Sequence, residues 1–347
     1  MHGSISAIEY YLPEKGLTTE ELAALFPAWS VAKIDAKTGI HVRHIAADAE
    51  YTSDLAFKAA QKLFSSGACH REDIDFILLC TQSADYALPT TACLLQSRLD
   101  IPRSAGALDY NLGCSGYIYG LGLAEGLISS GQASVILLIT ADTYSKYMDP
   151  SDKAVRTLFG DGATATLIEA TSEKRPLIGP FVYGTDGRGA GHLIVPNSGT
   201  RQGCPPRLVD SRGGLVTEPR LYMDGQRIFQ FAIEQVPTVV ASILEKGGVS
   251  RDNVDLFVFH QANKYILDEL RRILEIPSEK FQITLRDCAN TVSSTIPIAL
   301  KHAEQEGKLQ NDSLILLVGF GVGFSWGAAL VRWRRLTGLT CPQLLFT

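Results

Sequence analysis

The 347-residue sequence lacks the marks of several specialised protein classes. It contains no uninterrupted apolar run of the roughly 18 residues that a membrane span needs. Its first residues, MHGSISAIEYYLPEKG, lack the basic start and apolar stretch of a signal peptide. The net charge of -5 gives no support for a basic nucleic-acid-binding surface. We therefore expect a cytoplasmic protein with no membrane span and no nucleic-acid partner.

CxxC pairs are also absent, although the chain has seven cysteines. Their odd number and wide spacing argue against a disulfide framework and against a zinc motif. We expect reduced, packed thiols and no metal site, and local context must decide whether one of them is a nucleophile. The seven are Cys69, Cys80, Cys93, Cys114, Cys204, Cys288 and Cys341.

What the chain does contain is an alternation of short apolar runs with longer amphipathic stretches. Nearly continuous apolar runs are typical of strands covered on both faces, and the alternation predicts an α/β fold. The predicted strands are Phe76–Thr81, Val135–Thr140, Ala163–Ile168, Leu256–His260, Leu314–Val318 and Ala328–Val331. The predicted helices are Ser53–Phe64, Cys114–Ser129, Ile228–Lys246, Lys264–Leu274 and Pro297–Gln305.

An internal repeat supports this organisation. The segment that begins at Arg71 resembles the one that begins at Arg251, 180 residues later, and Ser134-Val-Ile-Leu-Leu resembles Ser313-Leu-Ile-Leu-Leu at an offset of 179. Two matches in the same order at nearly one offset indicate a duplicated unit. We place the halves at 1–172 and 173–347, and we read segment 184–217 as a long loop of the kind that forms lids or substrate walls.

Cys114 lies in Gly113-Cys-Ser-Gly, between a turn-like segment and a helix-like one. Unpaired N–H groups at a helix start stabilise a negative charge, so we expect a lowered thiol pKa and a competent nucleophile. The alternative is a buried structural thiol beside a helix start. The sequence around Cys114 alone is compatible with a nucleophile and with a structural thiol.

Two further polar residues follow apolar segments. His260 ends a predicted strand, the place where ligands bind in open α/β sheets, although it could also be a surface residue that starts a loop. Asn290 precedes a Ser-rich turn and could be a cap or turn residue. The glycine-rich turn from Gly319 lacks the GKS/T ending of a phosphate loop, but its N–H groups could face an oxyanion.

Taken in order, these segments resemble the β-ketoacyl-acyl-carrier-protein synthase III family of the thiolase superfamily. The resemblance covers nearly the whole chain and rests on the ordered set rather than on any single motif. It implies a duplicated, five-layered α-β-α-β-α sandwich and a homodimer. The segments that carry it are Ala36-Lys-Thr-Gly-Ile-His-Val-Arg, Gly113-Cys-Ser-Gly, Phe159-Gly-Asp-Gly-Ala, His260-Gln-Ala-Asn, Asn290-Thr-Val-Ser-Ser-Thr-Ile-Pro and Gly319-Phe-Gly-Val-Gly-Phe-Ser-Trp-Gly.

The resemblance also implies catalytic roles. Cys114 matches the family's acyl-accepting cysteine, and His260 and Asn290 match its decarboxylation pair. The oxyanion hole would use the backbone N–H groups of Cys114 and Val322. Family members often have glycine at the second position, so a valine is tolerated there only if its φ stays negative.

The implied reaction has two stages and needs no metal or redox cofactor. An acyl group passes from coenzyme A or an acyl-carrier protein to Cys114, and a malonyl thioester, as malonyl-acyl carrier protein, then loses CO2. The carbanion attacks the acyl-cysteine and releases a 3-oxoacyl product. For this chemistry Nε2 of His260 must carry a proton.

Several substrate-binding positions depart from the family's initiating enzyme. Lys33 stands where a Trp stacks on the coenzyme A adenine, and Lys37 and Lys153 stand where arginines hold the nucleotide. Trp29 lies upstream, and we do not expect it to replace that Trp. Lysine and arginine differ in planar stacking. These departures predict a donor other than acetyl-CoA and a specialised pathway, such as one for a surface polysaccharide or a secondary metabolite.

Other departures concern the acyl pocket and carrier docking. Leu88 matches a position that closes the acyl pocket of the neighbouring subunit and could set acyl length. Two basic carrier-docking positions are here Gln230 and Tyr265. The resemblance places Asn263 and Phe320 in the substrate-binding set as well.

Three other functions remain open. A synthase-III-like acyltransferase would pass the Cys114 acyl group to an alcohol or amine and would not need Asn290. Hydroxymethylglutaryl-CoA synthase needs a glutamate where Gln82 stands. A non-catalytic partner subunit would have no use for Cys114. Asn290 favours condensation over the first alternative, Gln82 argues against the second, and Cys114 argues against the third.

Overall fold

The computed structural model describes residues 1–203 and 220–334, and between these ranges the backbone of two short strands. Cys204, Cys341 and part of the predicted loop 184–217 lie outside the described residues. The strands are β1 His2–Tyr11, β2 Gly16–Thr18, β3 Val42–His44, β4 Phe76–Cys80, β5 Gly106–Tyr110, β6 Val135–Asp142, β7 Gly162–Thr171, β8 Ile178–Thr185, β9 Leu193–Ile194, β10 Leu208–Val209, β11 Leu215–Val216, β12 Tyr222–Met223, β13 Leu256–Phe259, β14 Leu314–Gly321 and β15 Ser325–Arg332. The helices are α1 Thr19–Leu25, α2 Val31–Thr38, α3 Thr52–Ser65, α4 Thr91–Arg98, α5 Gly116–Ser129, α6 Lys153–Arg156, α7 Gly225–Gly247, α8 Lys264–Ile273 and α9 Thr295–Gln305.

Two mixed sheets repeat one topology. The first has the strand order β1-β7-β6-β4-β5, and the second has the order β8-β15-β14-β13. In each sheet the first two pairings are antiparallel and the third is parallel. Strand β5 extends the first sheet by one further parallel pairing. The predicted α/β class is confirmed, and the repeated order matches the duplication read from the sequence.

The repeat extends to single hydrogen bonds. Asp75 precedes β4, and its carboxylate accepts the N–H of Ser134, the residue before β6, at 2.7 Å. Asp255 precedes β13, and its carboxylate accepts the N–H of Leu314, the first residue of β14, also at 2.7 Å. These aspartates are the ones that match in the two repeated segments. The predicted boundary at 172 and 173 falls between β7 and β8, and the division into two halves stays a prediction.

Five layers result from the way the helices cover the sheets. Helices α5 and α9 lie between the two sheets and contact both. Helix α3 covers the outer face of the first sheet, and α7 covers the outer face of the second. Helix α5 is glycine-rich because it is packed on both sides: a Cβ on Gly120 would lie 2.2 Å from the hydroxyl of Tyr110. The α-β-α-β-α sandwich is confirmed.

The predicted strands and helices are all present, with shifted ends. Helix α5 begins at Gly116 with Ser115 as its N-cap, so the predicted start at Cys114 was wrong by two residues. Strand β13 ends at Phe259, which leaves His260 in the following loop. Both shifts place the candidate side chains in connections rather than in regular elements.

Among the described residues, α7 is long and apolar enough to cross a membrane. Its apolar face is buried here against the second sheet, through side chains such as Phe231, Val236 and Val240. Core helices of soluble proteins have the same length and composition, so α7 carries no argument for a membrane span.

Candidate active site

Cys114 lies in the connection between β5 and α5, against the end of β14 in the second sheet. A Cβ on Gly321 would lie 3.0 Å from the sulfur of Cys114, and one on Gly319 would lie 2.8 Å from its carbonyl oxygen. Glycine at these two positions therefore lets β14 pass against the cysteine. The hydroxyls of Ser115 and Ser325 are 2.6 Å apart and tie α5 to β15.

The prediction of a lowered cysteine pKa was wrong. Cys114 is only 4% exposed. Burial raises the pKa of the Cys114 thiol well above its usual range, and the carboxyl of Asp142 adds to the rise. Removing the thiolate from water outweighs the favourable helix start. The thiol is therefore neutral at pH 7, and attack on a thioester requires an acceptor for its proton.

His260 is a neutral, buried imidazole. Its backbone N–H donates to Val318 at 2.8 Å, which extends the β13–β14 pairing by one residue. Its ring meets the ring of Phe320 edge-on at 5.5 Å, and the residue is 2% exposed. Burial lowers the pKa of His260 to about 3. The ring is accordingly uncharged throughout the physiological range.

The hydroxyl of Thr295 controls which ring nitrogen of His260 carries the proton. Its Oγ1 lies 2.8 Å from Nδ1 of His260 and 3.1 Å from the carbonyl oxygen of Val292. The hydroxyl has one proton and cannot donate to both. If it donates to Val292, Nδ1 carries a proton and Nε2 is an acceptor. If it donates to Nδ1, Nε2 carries the proton.

Asn290 lies in a strained segment between Ala289, with φ of 59°, and Val292, with φ of 56°. A left-handed backbone at a β-branched residue costs about 1–3 kcal/mol and persists where surrounding contacts enforce it. Oδ1 of Asn290 accepts the N–H of Val292 at 3.0 Å, and Nδ2 donates to the carbonyl of Ala262 at 3.2 Å. Ala262 follows His260 by two residues, so the amide joins the two loops.

Two consecutive serine hydroxyls hold this segment against the first sheet, and the next hydroxyl contacts His260. Ser293 donates to the carboxylate of Asp142 at 2.7 Å, and Ser294 lies 2.8 Å from the hydroxyl of Thr140. Thr295 completes the row with its contact to His260. All of these residues are buried. Strand β6 of the first sheet therefore positions the Asn290 segment and, through Thr295 of that segment, the imidazole of His260.

These contacts bring the three candidate residues to one place. Cys114 and Val292 pack in the same apolar cluster. Asn290 bonds to Val292, and His260 contacts Phe320, the neighbour of Gly321 above the sulfur. His260 and Asn290, which follow Cys114 by 146 and 176 positions, are thus linked to it through Phe320–Gly321 and Val292.

Val322 forms the tip of the β14–β15 turn. Its φ is not positive, so the condition for a side chain at this position is met. Ser325 donates to its carbonyl oxygen at 3.0 Å and fixes the turn. A Cβ on Gly113 would lie 2.5 Å from the Val322 side chain, so the turn rests on the residue before Cys114.

Three predicted substrate-binding lysines surround one indole ring. The ammonium groups of Lys33, Lys37 and Lys153 lie 5.8, 5.4 and 5.3 Å from the centre of the Trp29 ring. In the family's initiating enzyme a stacking Trp stands at the position of Lys33. We did not expect Trp29 to replace it, because Trp29 lies at a different place in the sequence. In the structure its ring lies among all three lysines. Such a cluster fits a planar, anionic ligand.

The other predicted positions are dispersed. Asn263 caps α8 by accepting the N–H of Ile266 at 2.9 Å. Leu88 is 83% exposed and lies on the surface. Tyr265 is exposed and stacks on Phe229 at 5.3 Å. Gln230 donates to Glu234 along α7 at 2.9 Å. Gln230 and Tyr265 occupy the two carrier-docking positions, and neither has a basic side chain.

Sequence reasoning missed a cavity of about 280 Å³ beside the cysteine turn. Val322 belongs both to its wall and to the apolar cluster around Cys114. No motif marks the residues that line it, because they come from separate connections. They include Gln82, Asn111, Tyr144, Tyr147, Leu193 and Leu221.

Comparison with known proteins agrees with the geometry. The family model described as 3-oxoacyl-[acyl-carrier-protein] synthase III matches residues 108–187, and the model of its C-terminal part matches residues 244–333. The β-ketoacyl-[acyl-carrier-protein] synthase III of Geobacillus kaustophilus is 36% identical over 96% of this chain and 100% of its own length. That of Ehrlichia ruminantium is 36% identical over 94% and 98%.

Solved structures give the same answer. A crystal structure of a 3-oxoacyl-(acyl-carrier-protein) synthase III is 49% identical, with a TM-score of 0.92 over 96% of this chain and 100% of that one. The Thermus thermophilus synthase III is 35% identical, with a TM-score of 0.86 over 95% and 99%. A priming β-ketosynthase of the R1128 polyketide pathway is 26% identical, with a TM-score of 0.85 over 96% of each chain. The chain therefore belongs to the β-ketoacyl-[acyl-carrier-protein] synthase III family of the thiolase superfamily.

Proposed function

We propose that the chain loads an acyl group onto Cys114 and joins it to a malonyl thioester with loss of CO2. Members of this family are acyltransferases, and the curated relatives are named β-ketoacyl synthases. The observation that carries the proposal is the meeting of Cys114 with the His260 and Asn290 loops under one glycine-rich turn. An acyltransferase without condensation has no use for a carboxamide held at that place.

In the loading step Nε2 of His260 takes the proton of Cys114 as the sulfur attacks the acyl thioester. This needs the ring form in which Nδ1 donates to Thr295 and Nε2 is free. The backbone N–H groups of Cys114 and Val322 stabilise the tetrahedral oxyanion, and one such donor is typically worth about 3–4 kcal/mol. The departing thiolate then takes the proton from Nε2, and the acyl group stays on sulfur.

In the condensation step the other ring form acts. With the Thr295 hydroxyl turned to Nδ1, Nε2 carries a proton and donates to the carbonyl oxygen of the malonyl thioester. Nδ2 of Asn290 has a second N–H besides the one given to Ala262, and it donates to the same oxygen. Both bonds strengthen as CO2 leaves and the enolate forms. The carbanion attacks the acyl carbon, and the released Cys114 sulfur regains a proton from solvent.

The thioester substrates reach this site as coenzyme A or acyl-carrier conjugates. Trp29 and the three lysines around it provide an aromatic face and positive charge for the anionic nucleotide or pantetheine phosphate. The substrates supply the reacting thioesters, so the proposed reaction uses no redox cofactor and no metal. Malonyl-acyl carrier protein is the extender, in keeping with the names of the curated relatives.

We further propose a cytoplasmic homodimer. Leu88 is 83% exposed in the single chain, and Tyr86 beside it is 60% exposed. Strand β5 forms an edge of the first sheet, with N–H and C=O groups available for pairing with a second copy. A dimer formed at that edge would cover these groups, and Leu88 would then close the acyl pocket of the other copy.

Release of CO2 from the malonyl substrate tests the proposal. Wild-type protein preloaded with an acyl group should release labelled CO2 from malonyl-acyl carrier protein and form a 3-oxoacyl product of the summed mass. Asn290→Ala should load acyl groups at a rate near that of wild type and release CO2 about 10²–10³-fold more slowly. Transfer of the acyl group to an added alcohol or amine without CO2 would reject condensation in favour of the acyltransferase alternative.

A further inference from the structure

We propose that the cavity beside Cys114 selects short acyl groups that carry an oxygen substituent, and that Gln82 and Asn111 recognise this oxygen. The inference rests on the proposed function, because it assigns the acyl group that Cys114 carries. An acyl pocket for a plain saturated chain is expected to be lined by apolar side chains. This cavity has one apolar wall and one polar wall.

The polar wall is a chain of hydrogen bonds. The hydroxyl of Tyr144 donates to Oε1 of Gln82 at 2.6 Å, and Nε2 of Gln82 donates to Oδ1 of Asn111 at 3.2 Å. The hydroxyl of Tyr147 donates to the backbone carbonyl of Gln82 at 3.2 Å. In this arrangement the carboxamide oxygen of Gln82 faces Tyr144, and the carboxamide oxygen of Asn111 faces Gln82.

Donor groups remain available on this wall. Each carboxamide nitrogen has two N–H groups. Hydrogen bonds among the described residues use one N–H of Gln82 and none of the side-chain N–H groups of Asn111. A hydroxyl or keto oxygen on the acyl chain would accept from them. A saturated chain would instead remove them from water without a partner, which binding disfavours.

The wall also lies close to the reacting sulfur. A Cβ on Gly113 would lie 2.6 Å from Oε1 of Gln82, so the carboxamide rests against the residue that precedes Cys114. Tyr144 packs with Cys114 in one apolar cluster. An acyl group on the sulfur therefore meets Gln82 within its first few carbons. A volume of about 280 Å³ is at the lower end of the range for ligand pockets, which fits a short acyl group.

The apolar wall supports the same assignment. Leu193, Ile194, Val195 and Leu221 form it, and these side chains leave the carbon skeleton of the acyl group in apolar contact. The pocket thus offers hydrogen bonds to a polar substituent and apolar contact to the carbon skeleton. A substituent on one side of a short acyl group matches that division.

A competition between two donors of equal chain length tests the inference. Wild-type protein is given equal concentrations of butanoyl-CoA and 3-hydroxybutanoyl-CoA, and the adducts on Cys114 are counted by intact mass at early times. We expect the hydroxylated adduct to exceed the plain one by about tenfold, the value of one hydrogen bond. Equal adducts, or an excess of butanoyl, would overturn the inference. Absence of any adduct would instead reject the proposed function.

Gln82→Met removes the hydrogen bonds and keeps a side chain of similar length. We expect its preference for the hydroxylated donor to fall to about one, mainly through slower loading of that donor. The matched control is Gln132→Met, because Gln132 is exposed and bonds to Ser130; it should keep the wild-type preference. If Gln82→Met slowed both donors equally, the polar wall would only support the cysteine turn, and the assignment would be wrong.

Discussion

Nδ1 of His260 and Oγ1 of Thr295 are 2.8 Å apart in the interior of the protein, although 35 residues separate them in the chain. Both residues are only 2% exposed. The pKa of His260, lowered by burial to about 3, keeps the resting ring neutral, so its tautomer decides whether Nε2 starts as a proton acceptor or as a proton donor. Thr295 is thereby a positioning residue for the imidazole.

Thr295→Val should slow both acyl loading and condensation. Without the hydroxyl, the form with the proton on Nδ1 leaves a buried donor unpaired, and the form with the proton on Nε2 leaves a buried acceptor unpaired. We expect about a tenfold to hundredfold loss in condensation. The nitrogen chemical shifts of His260 should also change, because they report the tautomer.

Thr295→Ser is the matched control, since it keeps the hydroxyl and loses only a methyl group. It should retain the wild-type nitrogen shifts and most of the activity. If Thr295→Val lost activity while its His260 shifts stayed those of wild type, Thr295 would act through packing alone. The tautomer account would then be wrong.

The raised pKa of Cys114 predicts a pH profile. A raised pKa means that the neutral thiol dominates at pH 7 and that the thiolate fraction grows as pH rises. Alkylation of Cys114 by iodoacetamide in the free protein should therefore rise nearly tenfold per pH unit from pH 6 to 9. Peptide mass spectrometry follows Cys114 and the exposed Cys93 in one sample, and Cys93 shows that the reagent stays active. A plateau for Cys114 below pH 7 would indicate a stabilised thiolate.

The lysine cluster predicts a salt-sensitive KM. Replacing Lys33, Lys37 and Lys153 by Gln should raise KM for acyl-CoA about tenfold with kcat nearly unchanged, because these groups bind the anionic part of the donor away from the sulfur. The triple variant should also lose most of the rise in KM that salt causes in wild type. The control is Lys62→Gln, a lysine that also lies over aromatic rings. An equal effect of Lys62→Gln would show only a general loss of positive charge.

The proposed position of Leu88 at the end of the acyl pocket predicts that this residue limits the length of the acyl chain. If Leu88 of the partner subunit closes the pocket, Leu88→Ala should extend the accepted acyl chain by about two carbons and leave the dimer mass unchanged. A series of acyl-CoA donors read by intact mass measures this. Leu25→Ala is the control, since Leu25 is another surface leucine, 56% exposed on α1. An unchanged length profile in Leu88→Ala would contradict the assignment.

Much of the fold could be predicted from the sequence because the central strands are apolar on both faces. Strands β6 and β14 are almost wholly buried, and their runs are unmistakable. Strands β1, β5 and β8 were not predicted. All three lie at a sheet edge. Strand β5 has only half-buried positions, and β1 and β8 mix buried with less buried ones, so none of them shows a continuous apolar run.

Some residues of the candidate site could likewise be identified from the sequence, and others could not. Cys114, His260 and Asn290 stand in recognisable motifs, so a resemblance could identify them. The roles proposed for Thr295 and Gln82 could not be read from the sequence, although it showed both positions, because these roles depend on contacts across the fold. The pKa of Cys114 was predicted in the wrong direction, since the sequence shows a helix start but not how deeply that start is buried.

Acyl loading measured by intact mass tests the central claim most directly. Wild type incubated with an acyl-CoA donor should gain one acyl mass on Cys114, and malonyl-acyl carrier protein should then remove it as a 3-oxoacyl product. Cys114→Ala should gain no acyl mass, and His260→Ala should load slowly and retain its acyl group. Normal condensation by both variants would contradict the account.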